Sequence, residues 1–138
     1  MRIILSIPLL ALVVAAYNAL NLAGGMMDTD SLLFSWVLPS SSEAFFKVGD
    51  MFLIAGLVAL FFEVIKAARA SVGTIADHIL STLTFVVALI EFLLVPFCGT
   101  STFFLLLVMT IIDVIGGFSV SLLSMRRDMT VTHGDGRL

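Results

Sequence analysis

The stretch "VGDMFLIAGLVALFFEVIKAA", residues 48–68, decides the fold, because it is long and apolar enough to cross a membrane. A helix that crosses the hydrocarbon core needs about 20 residues at a rise of about 1.5 Å each. Three further stretches meet that length, at residues 3–23, 77–97 and 102–124. They lack the alternation of apolar and polar residues that barrel strands require. We therefore predict an all-α integral membrane protein with a four-transmembrane-helix bundle.

Composition and length limit the chain to this one domain. The 138 residues are 60% hydrophobic and only 12% charged, a balance that indicates a lipid environment. Four crossings use most of that length and leave no room for a separate catalytic domain. The predicted helices span residues 3–23, 42–69, 75–97 and 101–125, and a polar cytoplasmic tail covers residues 126–138. Within it, residues 128–138 have no apolar face, so we expect them to be extended or mobile unless a partner holds them.

The basic residues indicate the orientation, since cytoplasmic loops accumulate Lys and Arg. They cluster on one side of the predicted membrane: Arg2, Lys66, Arg69, Arg126 and Arg127. The loop between the first two helices is acidic instead, with Asp28, Asp30 and Glu43 against Lys47. Both termini are therefore predicted to be cytoplasmic. The first helix also resembles a secretory signal peptide, but its apolar run continues past Ala16 to full length, so we expect it to be retained.

Local signals mark the helix ends and one unusual connection. Ser40 and Glu43 have the spacing of a capping box, which predicts that the second helix begins near Ser41. Pro96 should end the third helix. The preceding segment "SLLFSWVLP", residues 31–39, is too short to cross a membrane and too apolar for a free loop. We interpret it as an interfacial element anchored by Trp36, with a partner-binding patch as the alternative.

Each of the last three helices carries an acid within its apolar run: Glu63, Glu91 and Asp113. Each acid shares a helical face with small or polar residues, and successive members of each face are three or four positions apart. These faces contain Gly56, Ala59, Ala67 and Ala70 in the second helix, Asp77, Ser81, Thr84 and Ala88 in the third, and Thr110, Gly117, Ser121 and Ser124 in the fourth. Membrane helices pack through such faces, so the acids should point inward.

The three acids call for different interpretations. Glu63 lies one turn from Lys66, and a local ion pair explains it without any function. Glu91 and Asp113 have no basic residue at a similar depth in the sequence, so they are the candidates for ion or proton handling. The alternative is structural hydrogen bonding. Asp113 would then donate to a backbone carbonyl, and Glu91 would bond Tyr17, Asn18 or Asn21 of the first helix.

Other chemical signals in the sequence are weak. The two histidines, His78 and His133, cannot hold a haem inside one bundle, and no Cys or His cluster predicts a metal site. Cys98 stands alone in a predicted external loop, where a free thiol is the ordinary state. No nucleotide loop or hydrolase motif is present. We expect no cofactor, no metal and no nucleic-acid partner.

Two stretches, "EVIKAARASVGTIADHILS" and "TSTFFLLLVMTIIDVIGGFSVS", resemble short multi-pass proteins of the bacterial inner membrane, and this resemblance implies a location and no activity. The leading hypothesis is a small non-catalytic membrane subunit or assembly factor that contacts lipids and other membrane subunits, or copies of itself. The alternative is a homo-oligomeric proton- or cation-linked transporter or channel that uses Glu91 and Asp113. A third class is a quinone- or lipid-binding or enzymatic module.

Overall fold

The computed structural model describes residues 7–24, 28–69 and 75–132. It contains four helices: α1 (Leu9–Gly24), α2 (Val48–Arg69), α3 (Ile75–Leu94) and α4 (Ser101–Thr132). Two strands, β1 (Leu32–Val37) and β2 (Glu43–Lys47), lie between α1 and α2, and a short 3-10 turn (Pro96–Cys98) joins α3 to α4. The mostly helical prediction is confirmed, and a small sheet is added to it.

Three of the helices are long and apolar enough to cross a membrane: α2, α3 and α4. The described part of α1 is also apolar, but its 16 residues correspond to only about 24 Å of helix. The helix begins later than the predicted residue 3, because Pro8 precedes it and Ile7 is not helical. The Pro8 carbonyl accepts a hydrogen bond from the Ala11 amide at 3.0 Å. Arg2 and residue 3 lie outside the described residues.

The bundle is built around α4, which packs along both α2 and α3. The helix α1 packs mainly on α2 and meets α3 only loosely. At the centre, Tyr17 of α1 lies with its ring 5.3 Å from that of Phe52 and 5.1 Å from that of Phe103. Tyr17, Phe103 and Leu106 are fully buried. The loose contact between α1 and α3 leaves a groove on that side of the bundle.

Two glycines allow α2 and α4 to approach closely. A Cβ added at Gly49 would overlap the Thr102 hydroxyl and lie 3.1 Å from the Thr29 carbonyl oxygen. At Gly56 an added Cβ would lie 2.7 Å from Cδ2 of Leu106. Small residues at such contacts are how membrane helices pack without a hydrophobic driving force between them. The sequence predicted that the face of the second helix containing Gly56 packs against another helix, and in the structure this face packs against α4.

The predicted start of the second helix near Ser41 is wrong, because residues 43–47 form β2 and α2 begins at Val48. The proposed capping box does not form: Ser40 bonds the Ser42 hydroxyl at 2.7 Å, and Glu43 accepts from the Ser35 hydroxyl at 3.0 Å. The carboxylate of Asp50 instead accepts from the Lys47 amide at 2.8 Å. That bond satisfies a free amide at the start of α2.

The segment predicted as an interfacial element is one strand of an antiparallel hairpin, formed by β1 and β2. Trp36 lies opposite Ala44, and Phe34 lies opposite Phe46 with the rings stacked at 4.6 Å. The turn contains Ser41 in the left-handed region, with φ of 62°. All six residues of β1 are exposed. The hairpin is attached to the bundle at its base, where the Val48 and Gly49 amides donate to carbonyls of residues 31 and 29.

The last helix is longer than predicted. It continues through Thr132, so the extended conformation expected from residue 128 onward is wrong for residues 128–132. No glycine or proline interrupts the chain between Gly117 and Gly134, so the helix can propagate beyond its apolar part. Residues 133–138, which include His133, lie outside the described residues, as do Ala70 and the side chains of Ser121, Ser124, Arg126 and Arg127.

Candidate functional site

Polar and charged side chains of α2, α3 and α4 come together around Asp113. We call this group the polar cluster; it consists of Glu63, Lys66, His78, Ser81 and Asp113. Asp113 is only 8% exposed, and the Ser81 hydroxyl hydrogen-bonds its carboxylate. Lys66 and His78 lie near enough to act electrostatically on that carboxylate. The hydrogen bond and the nearby positive charges partly offset the free-energy cost of removing this carboxylate from water.

The surroundings of Asp113 differ from those that the sequence predicted. The prediction was a backbone carbonyl as the hydrogen-bond partner and no basic residue at the depth of this acid. In the structure, Lys66 of α2 and His78 of α3 lie near enough to act electrostatically on its carboxylate, and Ser81 is its hydrogen-bond partner. The reason is the lengthwise alignment of α2 and α3 against α4, which helix lengths alone do not fix. The inward orientation predicted for Asp113 is confirmed by its burial.

Glu63 joins the polar cluster to the start of α1. Its Oε2 atom lies 3.6 Å from Lys66 Nζ, so the predicted ion pair forms. Its Oε1 atom accepts a hydrogen bond from the Leu9 amide at 2.5 Å. Leu9 is the first residue of α1, where backbone amides have no partner within the helix. One carboxylate thus caps a neighbouring helix and neutralises a lysine, and only the tertiary structure reveals the first of these roles.

The polar residues of α1 bond elsewhere than expected. The Tyr17 hydroxyl donates to the Phe97 carbonyl at 3.1 Å and lies 2.9 Å from the Thr100 hydroxyl. The Asn21 amide donates to the backbone carbonyl of Tyr17 at 2.8 Å. The two contacts of the Tyr17 hydroxyl hold α1 against the turn between α3 and α4, whereas the Asn21 bond lies within α1. The prediction that the Tyr17 hydroxyl bonds Glu91 is therefore wrong.

Glu91 lies in the groove between α1 and α3, which we call the α1–α3 groove. The groove encloses about 270 Å³ and is lined by Ala11, Val14, Ala15, Asn18, Leu83, Thr84, Val87 and Glu91. The Glu91 side chain is partly buried, and its Oε2 atom is buried without a hydrogen-bond partner among the described residues. Asn18 lines the same groove, but its side-chain oxygen faces Cys98 Sγ at 3.5 Å.

Replacing Glu91 by leucine is expected to leave the free energy of unfolding unchanged or to raise it. The sequence predicted hydrogen bonds from Glu91 to polar residues of the first helix, which leucine would leave unpaired, but the Oε2 atom has no partner among the described residues. A buried acceptor without a hydrogen bond is itself a cost that leucine removes. Unfolding of the purified protein in mixed micelles, followed by circular dichroism, measures the change. A Glu91→Leu protein less stable than Glu91→Gln by more than about 1 kcal/mol would show that Glu91 has structural partners.

Cys98 should be unreactive in the folded protein. It is fully buried, and burial together with the nearby Glu91 charge raises the pKa of its thiol from 9.0 to about 11. Since the thiolate is the reactive form, maleimide labelling should be negligible at pH 8 and should rise steeply only towards pH 11. The unfolded state loses this proton first, so stability should fall between pH 9 and about 11. A Cys98→Ala variant should lack that part of the decline, and rapid labelling of the native protein at pH 8 would contradict the assignment.

Trp36, the predicted interfacial anchor, is 68% exposed on the hairpin and belongs to neither polar site. The sequence did not predict that His78, Ser81 and Lys66 would lie near Asp113. Ser81 was visible on the polar face of the third helix, but nothing in the sequence paired it with a residue of the fourth.

Within residues 7–24, 28–69 and 75–132, no three His, Cys, Asp or Glu side chains are grouped to hold a metal ion.

The fold and its two polar sites define a helical protein with three helices that could cross a membrane, a short apolar helix and an exposed hairpin. Comparisons with protein families, with curated proteins and with solved structures find no match.

Proposed function

We propose that this chain is a small non-catalytic subunit, or an assembly factor, of a larger complex in the bacterial inner membrane. In this arrangement the helices cross the bilayer, both termini are cytoplasmic, and the β1–β2 hairpin lies on the outer side. The excess of Lys and Arg in the segments on one side of the predicted membrane supports that orientation. The chain contributes surfaces for contact with other subunits, or with copies of itself, instead of a reaction.

The observation that carries the proposal is the uncovered hairpin. A two-stranded hairpin is marginally stable alone, and strand edges left open invite further pairing. Here Trp36 is 68% exposed, Val37 63% and Phe45 57%. Among the described residues, the hairpin contacts the bundle mainly where β2 meets α2, with backbone bonds from the Val48 and Gly49 amides. Exposed apolar patches of this kind are typical of protein interaction sites.

Purification from native membranes in a mild detergent tests the proposal. The wild-type chain should migrate within a complex larger than its own 14.9 kDa plus the micelle. A Trp36→Ser, Phe45→Ser variant should be released from that complex. The matched control is Phe61→Ser, Phe62→Ser, which removes two exposed aromatic rings from α2 and leaves the hairpin intact. A wild-type chain that always migrates alone, or a control variant released as fully as the hairpin variant, would count against the proposal.

The surroundings of Asp113 in the polar cluster favour a second candidate, a homo-oligomeric proton- or cation-linked transporter or channel that uses Asp113 together with Glu91 of the α1–α3 groove. A buried carboxylate beside a histidine and a lysine is an arrangement suited to proton exchange. Protein reconstituted in liposomes with an internal pH dye would then show proton flux, lost in Asp113→Asn and Glu91→Gln and kept in the hairpin variant Glu43→Gln. Absence of flux in the wild type, or flux unchanged in both acid variants, would exclude it.

A further inference from the structure

The α1–α3 groove is an apolar cleft with one acidic group at its end. Along α1 it extends from Ala11 to Asn18, about 10 Å, and along α3 from Leu83 to Glu91, about 12 Å, at the helical rise per residue. Its walls are small or aliphatic side chains, and Asn18 and Glu91 supply its polar end. Its volume of about 270 Å³ lies just below the range of pockets that hold small organic ligands.

The charge at this end has no counterpart in the groove. Among the residues that the structure describes, no basic side chain lines the groove, and Oε2 of Glu91 is buried without a hydrogen-bond partner. The two lysines of the described residues are engaged elsewhere: Lys66 with Glu63 at 3.6 Å and Lys47 with Asp30 at 2.8 Å. A carboxylate left this way is costly, and a ligand that brings a positive charge would offset that cost.

We propose that the α1–α3 groove binds a single-chain amphiphilic organic cation, with its ammonium head at Glu91 and its apolar chain along Ala15 and Val87. A carboxylate above an aliphatic slot complements such a molecule in both charge and polarity. A zwitterionic lipid fits less well, because its phosphate would need a cation that the described lining lacks.

The proposal is independent of the assembly role, since it concerns a different face of the protein from the hairpin. Equilibrium dialysis in dodecyl maltoside micelles tests it, with radiolabelled octyltrimethylammonium as the probe and empty micelles as the blank. The matched probe is its uncharged isostere, in which carbon replaces the nitrogen. The variants are Glu91→Gln, which removes the charge, and Val87→Phe, which fills the groove. Glu43→Gln, an acid removed from the exposed hairpin, is the control.

Wild type and Glu43→Gln should bind the cation saturably and alike. Glu91→Gln should weaken cation binding at least tenfold and leave binding of the uncharged isostere unchanged, while Val87→Phe should weaken both probes. Circular dichroism and gel filtration identify any variant that fails to fold. The comparison of the two probes on the wild-type protein tests the proposal even if a variant does not fold. Equal affinity of wild type for the two probes, or cation binding unchanged in folded Glu91→Gln, would overturn the proposal. The proposal would also be overturned, in favour of a lipid, if wild type retained phosphatidylethanolamine, Glu91→Gln did not, and that lipid displaced the probe.

Discussion

Replacing Tyr17 by alanine is expected to lower the free energy of unfolding by about 3–5 kcal/mol, the usual cost of deleting a fully buried aromatic side chain. Tyr17 is 0% exposed and its ring contacts those of Phe52 and Phe103, from α2 and α4. The substitution would therefore leave a cavity where three helices meet. It would also remove the hydroxyl that bonds the Phe97 carbonyl and Thr100.

Two further variants separate packing from hydrogen bonding at Tyr17. Tyr17→Phe keeps the ring and loses the hydroxyl, so it should cost only about 1–2 kcal/mol. Leu22→Ala is the matched control on the same helix, because Leu22 is 74% exposed and its truncation leaves no cavity. Unfolding by sodium dodecyl sulfate in mixed micelles, followed by circular dichroism, gives all three values. If Tyr17→Phe cost as much as Tyr17→Ala, the hydroxyl and not the ring packing would hold α1 in place.

The second large effect is expected at Glu63, where leucine should cost about 2–4 kcal/mol. The carboxylate accepts the amide hydrogen of Leu9 and lies beside Lys66, and Glu63 is only 7% exposed. Hydrogen bonds to charged groups contribute about 1.5–3 kcal/mol. Loss of the ion pair adds less, because the Lys66 side chain is 31% exposed and can reach solvent.

A short series of substitutions divides this effect between the helix cap and the ion pair. Glu63→Gln keeps an acceptor for the Leu9 amide and loses the charge, so its cost should lie between those of the other variants. Lys66→Met removes only the ion pair and should cost about 1 kcal/mol or less. The expected order of destabilisation is therefore Glu63→Leu, then Glu63→Gln, then Lys66→Met. A Lys66→Met protein as unstable as Glu63→Leu would show that the ion pair, not the cap on α1, dominates.

These predictions rest on contacts that the sequence revealed only in part. Helical spacing placed Glu63 and Asp113 on faces with small residues, and both acids are indeed buried. It also paired Glu63 with Lys66, because residues three apart on one helix are neighbours by geometry alone. It could not pair Asp113 with Ser81, or Glu63 with the Leu9 amide, because those bonds join different helices. Spacing along one helix carries no information about the position of the next.

At the hairpin, a local sequence signal predicted the wrong secondary structure. The pattern "PSSSEAFF" had the local signature of a helix start, yet residues 43–47 form a strand. The competing interaction is the pairing of β2 with β1, which satisfies backbone groups that a helical turn would have satisfied locally. A capping signal contributes about 1 kcal/mol, so a set of backbone hydrogen bonds between strands can outweigh it. Local propensity is a weak guide wherever two short segments can pair.

By itself, the sequence determined the helical class and the position of the apolar helices, because each depends on hydropathy along a single segment. It also determined which faces of those helices pack, because small residues and the 3.6-residue period define them. Only the tertiary structure decided the hairpin, the cap on α1, the surroundings of Asp113 and the groove in which the Oε2 atom of Glu91 has no hydrogen-bond partner among the described residues. Each of these depends on how far one helix or strand is shifted against another. That shift is set by packing between segments, at Gly49, Gly56 and Tyr17, and not by any pattern within one of them.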